Sequence, residues 1–166
     1  MKTTLPNFNE IKRNWYIIDA NGLELGRLAS KVAMIIMGKT KAIYSTNFDV
    51  GDFVIIVNAE KIYVTGKKME DKLYYRHTGY LGGLKMESLS ERMLKKPEDV
   101  IYQAVKGMLP KTKMGRQMIS KLKVYKGNEH PHVAQKPELI DIKEAIKWIS
   151  IIMAPEGEKH QLLEYL

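Results

Sequence analysis

Five consecutive apolar residues, Phe53-Val54-Ile55-Ile56-Val57, constrain this chain more than any other stretch of it. Such a run offers no polar face to water, so as a strand it must be covered on both sides, as strands of a parallel sheet are. A parallel neighbour is reached only by a crossover, commonly a helix, and the preceding residues contain one. Residues 15–18 form a shorter apolar run that stops at Asp19, and Asn21-Gly22 marks a turn. From Leu25 onward, Leu28, Ala29, Val32 and Ile36 recur at helical spacing, with Gly38 where a helix C-cap belongs.

The alternation continues downstream. Residues 62–65 and 73–76 are further strand candidates, the second followed by a loop holding Gly79, Gly82 and Gly83. Ser88 and Glu91 have capping-box spacing and open a short helix to about Lys96. Pro97-Glu98-Asp99 starts another, since proline suits the first helical position and acids suit its positive dipole end. Val100, Ile101, Ala104, Val105 and Met108 form the apolar stripe of that helix. Gly107 and Pro110 are expected to stop it, with Gly107 in a left-handed conformation just past its end. Residues 113–120 read as a short helix and 122–125 as a last strand. Strands alternating with helices over 166 residues, 45% of them apolar, point to one three-layer α/β/α domain with a real core.

Charge says more about partners than about fold. The chain carries 27 Lys and Arg against 19 Asp and Glu, a net +8, which favours a polyanion or an anionic membrane surface. The excess is concentrated. Between residues 100 and 128 there is no acid, but there are seven cations: Lys106, Lys111, Lys113, Arg116, Lys121, Lys123 and Lys126. Residues 138–166 reverse the sign, with six acids against three lysines. The absence of cysteine excludes disulfides and thiolate metal sites. Residues 1–10 lack the apolar core of a signal peptide, and nowhere do 18 apolar residues run together, so a soluble chain is expected.

Two segments imitate nucleotide sites. Gly38-Lys39-Thr40 resembles the end of a P-loop, but its first glycine would fall at Ala33, and the segment follows a helix instead of opening one. Gly22 and Gly26 lie between strand and helix, yet Leu23, Glu24 and Leu25 fill the turn and would hold a pyrophosphate away from the backbone. His130-Pro131-His132 offers two imidazoles and no third ligand. No nucleophile elbow surrounds Ser30, Ser88 or Ser120, and the carboxylates are scattered or sit at helix starts, so no catalytic constellation emerges.

The positive signal is the acid-free segment itself, where tight turns allow backbone to approach phosphate and cations stand on either side. Tyr125 adds an aromatic face for stacking. Arg76, His77 and Lys85, with Lys67 and Lys68, bracket the glycine-rich loop and extend the basic face.

At these residues the chain resembles the ribosomal protein L13 family of the large subunit, in its bacterial or organellar form. The resemblance runs from Arg13 to Ile142. It is carried by Trp15-Tyr16 with Asp19-Ala20, Leu25-Gly26-Arg27-Leu28-Ala29 and the stretch from Gly51-Asp52 through Asn58-Ala59-Glu60-Lys61. Tyr74-Tyr75-Arg76-His77-Thr78-Gly79-Tyr80 into Gly82-Gly83 follows, then Lys106-Gly107-Met108-Leu109-Pro110, residues 121–127 and Ala134-Gln135-Lys136-Pro137. The resemblance implies a mainly parallel four-stranded sheet between helices, docked on large-subunit (23S-type) rRNA beside neighbouring ribosomal proteins. It implies no catalysis, no cofactor, no small-molecule substrate and no membrane, and a place on ribosomes in a bacterial cytoplasm or plastid stroma. It also implies RNA contacts at Arg76, His77, Thr78, Gly79, Gly82 and Gly83, and from the segment spanning Lys106, Gly107, Lys111, Lys113, Arg116, Lys121, Lys123 and Lys126.

Three departures stand out. The loop after Gly38-Lys39 reads Tyr44-Ser45-Thr46-Asn47 where the family has a proline and a histidine. The first helix ends Met34-Ile35-Ile36-Met37 and not in arginines, and the chain runs some two dozen residues further. The expected organisation is an arm over 1–12, the α/β domain over 13–142 and a helical extension over 143–166. In that extension Asp141 and Glu144 have capping spacing, and Ile142, Ala145, Ile146, Ile149, Ile152 and Met153 make an amphipathic stripe before Pro155. Its stripe is expected to fold back on its own domain, with Met34–Met37 a candidate surface, or onto a neighbouring protein; its acidity disfavours RNA. A nucleotide-binding enzyme and an RNA regulator outside the ribosome are the alternatives from other classes.

Overall fold

The computed structural model describes Asn7 and residues 11–142. Strand β1 (Trp15–Asp19) leads through the Asn21-Gly22 turn into α1 (Leu25–Met37), which returns to β2 (Phe53–Val57). A 3-10 turn (Ala59–Lys61), α2 (Lys68–Asp71), a hairpin of β3 (Leu73–His77) and β4 (Leu84–Ser88), α3 (Leu89–Lys95), α4 (Pro97–Met108) and α5 (Lys113–Ile119) precede β5 (Leu122–Val124). A second 3-10 turn (Val133–Gln135) leads to β6 (Glu138–Leu139). The sheet order is β5-β2-β1-β6 and every pairing in it is parallel.

The apolar run occupies the place it requires. β2 lies between β1 and β5, and Val54, Ile55, Ile56 and Val57 are all buried. Alternation along the strands sends Ile18, Val54, Ile56 and Leu122 to one face. There they share a single core with the buried aliphatic side chains of α1, α3, α4 and α5. On the other face Trp15 stacks on Phe53 at 4.3 Å, and His132 lies against Trp15 and hydrogen-bonds Tyr125 Oη through Nε2 at 2.8 Å. The parallel four-stranded α/β sheet is thus observed. Among the described residues the core-packing helices lie on one face, and the segment carrying His132 covers the other. The extension expected over 143–166 and nearly all of the arm over 1–12 lie outside the described residues.

Local signals acted as their chemistry requires. Gly38 adopts φ 78° and closes α1 in a Schellman pattern, its N–H donating to Ile35 O and that of Lys39 to Met34 O. Those donors are therefore committed to the helix end and are not a phosphate cradle. Ser88 Oγ accepts from Glu91 N–H at the start of α3, and Pro97 occupies the first turn of α4. The helix expected over 113–120 is α5.

Three local expectations need correction. Residues 62–65 make only one parallel bridge, Glu24 to Tyr63, because their partner turns into α1 at Leu25 and leaves nothing further to pair with. The strand expected over 73–76 is present as β3 and pairs antiparallel with β4, outside the four-stranded sheet. Gly107 does not end α4; it lies within it, without a left-handed backbone, and the helix runs to Met108. Lys121, expected to meet RNA, is only 4% exposed. Its ammonium donates to Ile36 O at 3.0 Å and pairs with Asp49, because α1 ends without a basic residue in its last turn and its carbonyls need a cation.

Two outcomes follow for stability. Asp49→Ala leaves the Lys121 ammonium buried without its counter-ion and should lower unfolding free energy by about 3 kcal/mol in urea titration, with partial recovery when Lys121→Met is added. Gly107→Ala, where an added Cβ meets nothing within 4 Å, should raise it by about 0.5–1 kcal/mol.

Candidate nucleic-acid interface

The acid-free segment spans most of α4, the turn after it, α5 and β5. α4 stops at Met108, Leu109 turns inward and is buried, and Pro110 prevents continuation. Thr112 then caps α5, its Oγ1 accepting from Gly115 N–H at 3.3 Å. The tightness of this corner depends on Gly115: a Cβ there would sit 1.8 Å from Pro110 O. The result is a depression of about 230 Å³ lined by Lys106, Leu109, Pro110, Lys111, Thr112, Gly115, Arg116 and Ile119. Three expected cations therefore meet around one concavity, from the last turn of α4, the turn itself and α5. Lys113, on the first turn of α5, is also exposed.

The remaining expected cations separate from this cleft. Lys121 is inside, as described. Lys123 sits half-buried on β5 opposite Ile55, and Lys126 is exposed just beyond the strand. Tyr125, expected to offer a stacking face, is half-buried and engaged with His132, so it fixes the following segment to the sheet.

The glycine-rich loop is the tip of the β3–β4 hairpin. Thr78 N–H donates to Gly83 O and Gly83 N–H to Tyr80 O, while Gly79 (φ 93°) and Gly82 (φ 71°) take left-handed conformations. Gly79 N–H donates to His77 Nδ1 at 3.0 Å, which turns Nε2 of that ring away from the loop backbone. A side chain at Gly83 would collide with Thr78 Oγ1, so that glycine serves the shape of the tip. Arg76 and Lys85 are exposed and directly opposite one another across the strands.

The hairpin is anchored through one of its faces. Tyr74 packs against the core, with the Arg92 guanidinium 4.6 Å and the Lys72 ammonium 5.3 Å from its ring centre. On the same face Glu87 pairs with Lys95 of α3 at 2.9 Å, and the Lys95 ammonium holds that carboxyl below the usual carboxylate range. The opposite face carries Tyr75, Leu84 and Met86, all exposed, and the tip carries Tyr80 and Leu81. Sequence reasoning missed these apolar positions because β4 went unrecognised; the alternation of Leu84, Met86 and Ser88 was the available signal.

Nothing in this arrangement resembles a catalytic or metal centre among the described residues, where no group of three or more His, Asp or Glu is placed to hold an ion. No helix among them is long and apolar enough to cross a membrane. Gly115→Ala should distort the α4–α5 corner, lowering stability by about 1–3 kcal/mol in a thermal melt followed by circular dichroism.

Comparison with known proteins bears on what such a surface is for. Residues 13–131 match the family described as Ribosomal protein L13. The chain is 55% identical over 141 residues (85% of this chain, 93% of the relative) to large ribosomal subunit protein uL13 of Gloeothece citriformis. It is 54% identical over 142 residues to that of Syntrophotalea carbinolica and 57% over 143 residues to that of Thermoanaerobacter pseudethanolicus, in each case 86% of this chain and 100% of the relative.

Proposed function

Because this chain belongs to the ribosomal protein L13 family, we propose that it grips large-subunit rRNA through the basic cleft between α4 and α5, with the β3–β4 hairpin as a second contact. Membership makes it a structural constituent of the large ribosomal subunit, associated with rRNA and other ribosomal proteins, and not an enzyme. The observation that carries the residue-level reading is the convergence of Lys106, Lys111 and Arg116 on one concavity in a stretch without a single acid. Backbone phosphates are the polyanion that such a cleft suits, because cations spaced around a turn can neutralise several at once. Lys113 extends the cleft along α5, and Lys123 on β5 and Lys126 just past it add further charge. At the hairpin, Arg76, His77 and Lys85 supply charge, while Thr78, Gly79, Gly82 and Gly83 let backbone approach the nucleic acid.

The finer reading is a 23S-type rRNA site in a ribosome of bacterial type, in a bacterial cytoplasm or plastid stroma, where the protein supports subunit assembly and translation. Neighbouring ribosomal proteins complete its surroundings; no membrane, cofactor or small-molecule substrate takes part. Sucrose-gradient fractionation should find the protein with large subunits, whereas accumulation only in the ribosome-free fractions would favour a regulator acting elsewhere. Binding to rRNA fragments should weaken with salt at a log–log slope of roughly −3 if about four phosphates are neutralised. Changing Lys106, Lys111, Lys113 and Arg116 together to Gln should flatten that slope without altering the circular dichroism spectrum. A slope near zero for the unmodified protein would refute the electrostatic grip.

A further inference from the structure

The last described residue aims the rest of the chain at the core. β6 is the edge strand beside β1, and just beyond it Ile140 N–H donates to Ile17 O at 2.9 Å. Ile140 is half-buried, and Ile142 is 2% exposed in the same core as the side chains of α1. Ile142 is also the first member of the apolar stripe that continues through Ala145, Ile146, Ile149, Ile152 and Met153. In a helix those positions share one face. A helix continuing from Ile142 therefore has its phase set by a side chain already in the core. Its stripe turns inward, while Lys143, Glu144 and Lys147 turn to water.

The flank of α1 is placed to receive it. α4 faces the side of α1 that carries Gly26 and lies toward β5. About two and a half turns on from Gly26, Ile35 looks the opposite way, toward the β6 edge, in line with Leu28 and Lys31. Lys31, Met34 and Ile35 are half-buried, whereas Ile36 and Met37 are inside, so the receiving surface is narrower than the whole Met34–Met37 run. Length agrees with direction. β6 runs parallel to β1 and so ends at the end of the sheet where α1 begins. A helix rises about 16 Å from Ile142 to Met153, close to the roughly 15 Å from Leu25 to Ile35, and Pro155 stops it there. Two relatives matched over their whole length align with 142 and 143 residues of this chain, so some two dozen of its 166 have no counterpart in them.

We propose that residues 143–154 form a helix that runs beside α1 and packs its apolar stripe on the flank made by Leu28, the Lys31 stem and Ile35. The occupant of that flank is thus the chain's own extension. Its role is to clamp β6, a strand of only two residues, onto the sheet and to close the core at that edge. The proposal concerns packing within one chain and does not rest on the RNA-binding reading, whose basic cleft lies between α4 and α5.

Ending the chain at Ile142 and comparing it with the full chain tests this, since the cut spares every described element. The melting temperature, followed by circular dichroism, should fall by about 4–8 °C, while salt-dependent affinity for an rRNA fragment is kept. In the full chain Ile146→Asp with Ile149→Asp should reproduce that fall, and Lys147→Asp, on the other face, should not. Because the chain has no cysteine, Ser30→Cys with Ser150→Cys accepts a spin label at each of the two sites. A docked helix gives one narrow distance distribution, and a broad one overturns the proposal. Unchanged melting on truncation overturns it as well. Combined with poor uptake into large subunits, that result would assign the stripe to a neighbouring protein; combined with weaker RNA binding, it would assign the segment to RNA.

Discussion

The Lys121 ammonium joins three separate parts of the chain inside the protein. It donates to Ile36 O at the end of α1, pairs with the Asp49 carboxylate ahead of β2, and opens β5 from its own position. Burial pulls its pKa below the ordinary lysine range, and the hydrogen bond and charge of Asp49 oppose that pull. Gly51 makes room for the arrangement, since a Cβ there would lie 1.7 Å from Ile36 O and 2.8 Å from the ammonium. A second lysine strengthens the same junction: Lys41 Nζ pairs with the buried Asp52 at 2.5 Å and donates to Lys12 O and Val50 O. The approach to β2 is thus tied down by cations before the apolar run begins.

Much else follows from that junction. Val54 N–H donates to Lys121 O, so the residue that seals the end of α1 also sets the register of β5 against β2. The path into β5 comes from α5, and α5 meets the preceding turn at Gly115. The α4–α5 cleft is therefore positioned by a structural lysine from its own basic segment. One run of cations serves two purposes, and burial divides them: a lysine inside is worth having only with a partner, whereas the exposed ones keep their charge for a partner outside.

The hairpin shows the same division in its tyrosines. Tyr74 and Tyr75 are neighbours in sequence, but a strand sends them to opposite faces. Tyr74 lies under Arg92 and Lys72 and secures the hairpin to the core. Tyr75 stands in solvent with Met86 beside it. The far side of the main sheet follows a related logic, with Trp15, Phe53, Tyr125 and His132 forming a cluster that draws the segment after β5 back across the strands. Trp15, Phe53, Tyr74 and Tyr125 look as available for recognition in sequence as Tyr75 does, but are committed to packing in three dimensions.

Periodicity and punctuation determined a good deal by themselves. The run at Phe53–Val57 required a buried parallel strand, the spacing from Leu25 required α1, and Gly38, Ser88 and Pro97 fixed helix ends through effects that act within a few residues. The concentration of positive charge was equally legible, because net charge is a property of composition. What the sequence did not reveal is which members of that segment face water. Lys121 and Lys123 sit two apart on what reads as one basic stretch, yet one is sealed against Ile36, 85 positions away, and the other lies half-buried on β5. In the sequence Gly107 reads as a helix stop and Gly115 as an ordinary position of a short helix, but the first is an open position within a helix and the second is required by a carbonyl that only the folded corner brings near. Local physics writes the elements into the sequence; the partners of a long side chain, and the space around a glycine, exist only once distant segments have packed together.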